Sequence, residues 1–301
     1  MNQPFFAHVL HYLGNPQYQP EQRAVPFRIK LWHCLRLWSL AYAFSLPLGI
    51  AIFFATRAGG YDLTQNAVYS LLSDPSLSVL LLVGIIAPVS EEIGFRLWLR
   101  YSPINLSLSI GYILYLAGSL LIANQAAFPT PLLLGFLGTS VVFLLLKSSR
   151  ADKQITYFYQ SRFRILFYGS CILFGLVHIF NYPNYLHIWY LIPLLFLPQL
   201  IIGLFLGFVR VHYGIGWSIL THGLYNGFLF LPQLLLLLIP EDIVTSFESG
   251  NISSLMQLSP LQIVAILIIE FSVLAMLAGS AISFFRFVQQ ILRPKKNEGS
   301  Y

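Results

Sequence analysis

The sequence predicts an all-α fold: a polytopic membrane helical bundle of about eight transmembrane helices, with both termini in the cytoplasm. Three observations carry that expectation. The composition is too apolar for water, apolar runs of membrane-spanning length recur, and basic residues collect on one side of those runs. The 301 residues are 57% hydrophobic and 9% charged, against about 25% charged in an ordinary soluble domain. A hydrocarbon layer is crossed by a helix of roughly 17–25 residues, and most of the runs have that length.

Taken in order, residues 1–34 read as a cytoplasmic tail. Phe5, Phe6, Val9, Leu10 and Leu13 fall near helical spacing, which suits either a helix lying on the membrane surface or a frayed tail. No cleavable signal peptide is expected, because the first thirty residues are too polar and proline-marked. The membrane domain spans residues 35–286. Its first run, Leu35–Thr56, follows Arg23, Arg28, Lys30 and Arg36, which hold its start in the cytoplasm. The second, Ser78–Leu99, arrives from an outer loop with Asp62 and Asp74 and ends at Arg96 and Arg100. The third, Ile104–Asn124, and the shorter fourth, Pro131–Leu146, go out and back to Lys147, Arg150 and Lys153. Residues 151–164 mix Lys153, Arg162 and Arg164 with Ile155, Tyr157, Phe158 and Phe163. They read as an interfacial helix leading into the fifth run, Phe163–Phe180.

Tyr182, Asn184, His187 and Trp189 then suit an outer interfacial belt. The sixth run, Ile188–Val209, closes on Arg210. The seventh, Ile215–Ile239, leads to an outer loop with Glu241, Asp242 and Glu248. The eighth, Leu261–Phe285, returns to Arg286, Arg293, Lys295 and Lys296, and residues 287–301 form a short polar tail expected to be disordered. Of the 17 basic residues only Arg57 falls outside, whereas an odd number of spans would scramble that alternation.

The net charge of +6 is therefore a membrane-orienting charge that meets anionic lipid. With no basic stripe of interleaved aromatics in a soluble segment, it excludes nucleic acid as a partner. Cys34 and Cys171 are isolated, form no metal-type pair and read as buried apolar fillers.

Strongly polar groups within the runs mark the candidate site. A carboxylate at membrane depth costs roughly 2.5–3.5 kcal/mol on insertion scales, so such groups face the protein interior and carry function. Glu91, Glu92 and Arg96 lie on the second run, His178 on the fifth, His222 and Asn226 on the seventh, and Glu270 on the eighth. Glu92 and Arg96, Phe174 and His178, and His222 and Asn226 are each four apart, the spacing that puts side chains on one helix face. Three helices thus offer carboxylates with a basic clamp, an imidazole, and an imidazole with an amide. Convergence on one internal cavity is the least costly arrangement.

A carboxylate beside an imidazole can take a proton from water and pass it to a leaving group. A second imidazole and an amide can hold a developing oxyanion. Those parts suffice for amide hydrolysis, and without a positioned nucleophilic serine or cysteine they favour direct attack by water. Two other classes use the same residues: a proton-coupled transporter, and a catalytically inactive membrane protein that binds peptides. No inverted repeat of the transporter kind is visible. Phe174 reads as packing, and Gly94, Gly175 and Gly223 as places where helices approach closely. Glu270 matches no pair and suits a structural hydrogen bond.

Glu91-Glu92-x-x-x-Arg96, Phe174-x-x-x-His178 and His222-x-x-x-Asn226, in this order on three runs within residues 78–230, resemble the three motifs of the CPBP (ABI) intramembrane proteases. That family includes the type II CAAX prenyl endopeptidases. The resemblance implies that Glu91 activates water with His178 as its partner, that His222 and Asn226 stabilise the oxyanion, and that Glu92 and Arg96 form an orienting ion pair. It implies a membrane-associated protein or peptide as substrate, prenylated or not. No cofactor is expected; the alternative is zinc held by Glu91, His178 and His222 with a water. A multi-pass protein of a plasma membrane, bacterial as the first expectation, completes the reading.

One tension stands in the sequence. Glu91 lies nearer the cytoplasmic end of its run, but His178 falls near the outer end of the fifth. Convergence then requires the fifth helix to extend to about Tyr185 or to start deep.

Overall fold

The computed structural model describes residues 5–19, 24–66, 71, 76–122, 129–231, 239, 243 and 258–292. Arg23, Asp74, Glu241, Asp242, Glu248, the tail from Arg293 and most of the seventh run beyond Phe230 lie outside these. Regular structure among the described residues is entirely helical. We number the helices α1 Phe5–Gly14, α2 Phe27–Ala58, α3 Leu77–Phe95, α4 Pro103–Ile122, α5 Pro129–Leu146, α6 Ser149–Val177, α7 Ile192–Tyr213, α8 Ile215–Leu229 and α9 Pro260–Leu292. Each of the eight apolar runs holds one of α2–α9. Among the described residues, five helical segments are long and apolar enough to cross a membrane: α2, α3, Ser149–Asn181, Tyr185–Tyr213 and α9. The chain is a multi-pass membrane protein.

α7 forms the centre, buried on several faces through Ile202, Leu206, Phe208 and Val209 and packed against α2, α6 and α8. It ends at Gly214, whose φ of 101° lies where a side chain is strained, and the chain turns there directly into α8. Tyr42 on α2 donates to the Tyr225 carbonyl, and the Tyr225 hydroxyl donates to Ser45 Oγ at 2.8 Å, tying α2 to α8.

α3 is not a uniform helix. Residues Leu82–Ile86 form a π-turn ahead of Pro88. Proline has no N–H to donate to the preceding turn, and the wider turn absorbs that loss. The loosened carbonyls meet α8: Asn226 Nδ2 donates to Val83 O at 3.3 Å, and Gly223 lies against Gly84. A Cβ at Gly223 would come to 2.6 Å from the Gly84 oxygen. Gly223→Ala is therefore expected to push α8 off α3 and cost about 1–3 kcal/mol, as overpacking does. A thermal melt of the purified protein in detergent checks this, and an unchanged melting temperature would refute the contact.

The interfacial segment and the fifth run are one helix, α6, broken at Arg162 (φ −123°, ψ 15°). α2 begins within the segment assigned to the amino-terminal tail, and α9 runs past residue 286 to Leu292. α1 docks on the bundle. Phe6, Val9 and Tyr12 are buried, Tyr12 packs edge-on against Phe167 and Phe208, and Gln290 of α9 accepts from the Phe6 N–H at 2.9 Å. Its aromatic face finds protein where the spacing alone suggested lipid or solvent.

Candidate active site

Glu91 and Glu92 are adjacent on α3 and therefore about 100° apart around it, so the helix sends them to different surroundings. Glu92 is fully buried and saturated. Its Oε1 lies 3.2 Å from Arg96 Nη1 and 3.0 Å from His222 Nδ1, and its Oε2 accepts from the Ser218 hydroxyl. Arg96, one turn further on, is also fully buried. Its guanidinium lies 3.6 Å from the centre of the Phe174 ring, a cation–π contact made stronger by desolvation. Space for it comes from Gly203 on α7, where a Cβ would stand 3.4 Å from Arg96 Nη2.

Glu91 is 23% exposed and differs in kind. Its Oε2 is buried without a hydrogen-bond partner among the described residues, yet it faces two imidazoles. His178 Nε2 lies 3.8 Å away and His222 Nε2 3.5 Å away. Both rings are oriented from behind. His178 Nδ1 donates to the Phe174 carbonyl at 2.7 Å, and His222 Nδ1 donates to Glu92. With both Nδ1 protons so used, each Nε2 presents a lone pair or a second proton towards Glu91. Three lone pairs facing one another would repel, so a proton or a water donor belongs among them.

The tension over His178 is resolved by where α6 stops. The regular helix ends at Val177, His178 is its C-cap, and the chain continues as a 3₁₀ turn over His178–Asn181. The helix starts at Ser149 and ends beside Glu91, inside the bundle. His178 also lines an apolar cavity of about 670 Å³ between α2, α7 and α8. Leu46, Ile50 and Phe53 of α2 contribute to the lining, as do Asn181, Tyr182 and Gln199. Ile50 is 60% and Phe54 64% exposed, so the cavity opens along α2.

Asn226 shares the face of α8 that carries His222, but one amide hydrogen goes to Val83 O, which leaves the other for a ligand. Glu270 is not drawn to the site. It is exposed on α9 and makes no hydrogen bond or ion pair among the described residues, contrary to the structural hydrogen bond expected of it. Two supporting residues escaped the sequence reading. Ser218 sits one turn before His222, and the same four-residue spacing would have found it. Arg210, taken only as a charge at the end of the sixth run, is 4% exposed. It donates to the carbonyls of Arg96 at 3.0 Å and Leu97 at 2.7 Å, where α3 ends.

Glu91, His178 and His222 offer donor types that suit zinc, two imidazole nitrogens and a carboxylate oxygen. Among the described residues, however, no three His, Cys, Asp or Glu side chains are gathered as a metal-holding group.

No curated protein and no solved structure matches the chain. A family model does, described as type II CAAX prenyl endopeptidase Rce1-like, over residues 73–228. That match covers more than half of the chain and contains all three polar pairs. The chain belongs to the Rce1-like family of CAAX-type intramembrane proteases.

Proposed function

We propose that this protein hydrolyses a peptide bond of a membrane-associated protein or peptide by direct attack of water. Glu91 and His178 activate the water, and His222 and Asn226 stabilise the oxyanion. The observation that carries this reading is the unequal treatment of two neighbouring carboxylates. Glu92 has every oxygen satisfied, whereas Glu91 presents an oxygen without a hydrogen bond among the described residues to two oriented imidazoles, and one of these, His178, lines a cavity.

In this reading a water seated between Glu91 Oε2 and His178 Nε2 gives its proton to Glu91 as its oxygen bonds to the carbonyl carbon. The carbonyl oxygen, becoming negative, takes hydrogen bonds from protonated His222 Nε2 and from the second amide hydrogen of Asn226. Glu91 and His178 then deliver the proton to the departing nitrogen as the C–N bond breaks. The apolar wall of α2 receives the hydrophobic part of the substrate, prenylated or not. Eight spans with cytoplasmic termini remain our proposal for the topology.

The test is a comparison of peptides released from membranes containing wild-type protein or Glu91→Gln at matched levels, read by mass spectrometry. Products unique to the wild type are expected, and their new termini identify the substrate; identical peptide sets would sink the proposal. A second prediction concerns metal. Zinc bound at this site would act as a Lewis acid, but the steps above need none. Incubation with a strong zinc chelator is expected to leave turnover unchanged. Loss of turnover that added zinc restores would overturn the metal-free mechanism.

A further inference from the structure

Among the described residues, Glu270 is a carboxylate of the apolar runs that the active site leaves unused. It stands ten residues after Pro260 and sixteen before Arg286 on α9, so about 15 Å and 24 Å from the two ends of the apolar stretch. A glutamate side chain is too short to reach water from there. Another face of α9, turned about 110° from Glu270, is already occupied, with Ile269, Met276, Ser280 and Ser283 buried and α2 packed against the helix. Glu270 thus projects from the bundle at mid-membrane depth, where an unpaired carboxyl is costly and a partner is the expected remedy.

The residues around it form a seam. Ile263, Leu267, Glu270, Leu274, Leu277 and Ala281 follow one another at alternating steps of four and three, the 3.5-residue repeat of a left-handed helix pair. All are exposed, Leu267 and Leu274 at 62% each. A single polar residue in such a seam fixes register and partner number.

We propose that two copies of this chain pair through α9 along this seam, with Glu270 meeting Glu270. Copies inserted in the same membrane have the same orientation, so their α9 helices run parallel about an axis along the membrane normal. Each seam residue then meets its own counterpart at equal depth. A protonated carboxyl both donates and accepts, so a pair of them sharing protons is self-complementary and needs no other group. The seam offers no basic residue that would ask for a different partner.

The test uses the purified full chain in liposomes, with single cysteines introduced on α9 and the buried native Cys34 and Cys171 left in place as an uncrosslinked control. Mild oxidation is expected to trap dimers with Leu267→Cys, Leu274→Cys and Leu277→Cys, but not with Val264→Cys or Ile268→Cys, which point elsewhere. In the Leu274→Cys background, Glu270→Leu is expected to weaken dimerisation about tenfold, the scale of a membrane hydrogen bond. Glu270→Gln, whose amide also donates and accepts, is expected to retain it. A flat crosslinking profile around the helix, or equal dimerisation with Glu270→Leu, would overturn the pairing. Association that forms in cell membranes and is lost in liposomes of purified chain would overturn the second copy as partner and point to another membrane protein.

Discussion

Glu91→Gln is expected to abolish peptide release while leaving the protein as stable as wild type. The amide is isosteric with the carboxyl, and Glu91 Oε2 has no hydrogen bond to lose among the described residues. What disappears is the base: an amide cannot take a proton from water. General bases contribute about 10²–10⁴-fold, and with no second carboxylate free to substitute, the loss is expected near the upper end. Turnover of a quenched-fluorescence peptide substrate in detergent, beside a thermal melt, reads both halves. A variant that keeps a tenth or more of wild-type turnover would remove Glu91 from the chemistry. A variant that melts much lower would assign it to the fold.

Much of this distinction was legible beforehand. One arginine at i+4 can neutralise only one carboxylate, so Glu92 and Arg96 account for each other and Glu91 is left over. The meeting of Glu91 with His178 and His222 also followed from the cost of polar groups in lipid. Hydropathy could not show where α6 ends, because it records how apolar a segment is and not where in the bundle it stops. That is why His178 looked misplaced. Arg210 was hidden for a related reason: at the end of a span a basic residue has a sufficient explanation in topology, and nothing local signals that its guanidinium turns inward to two carbonyls. The π-turn in α3 had a visible cause in Pro88, but its complement on α8, Gly223 and Asn226, lies 135 or more positions further along the chain. Such pairings arise only when two helices meet.

Arg96→Ala is expected to be the most destabilising single change in the site, and the reason lies in Glu92. Both side chains are completely buried. Removing the guanidinium leaves a carboxylate in a medium that solvates it poorly, which costs about 3–5 kcal/mol out of a total stability of order 5–15 kcal/mol. It also removes the cation that rests on Phe174, the residue whose carbonyl orients His178. The protein is therefore expected to accumulate poorly and to melt well below wild type.

The double variant Glu92→Gln with Arg96→Met separates charge from shape. The glutamine oxygen can still accept from His222 Nδ1, while Ser218 can turn its hydroxyl wholly to the Leu206 carbonyl, 3.1 Å away, and accept from the new amide. A buried ion pair replaced by neutral groups of similar volume often costs little, so the melting temperature is expected to recover most of the way. Turnover should stay low, because His222, the donor proposed for the oxyanion, would lose the charged acceptor that orients its ring from behind. If instead the double variant melts as low as Arg96→Ala, packing around the guanidinium rather than its charge holds α3 in place. Full recovery of turnover would separate the ion pair from catalysis altogether.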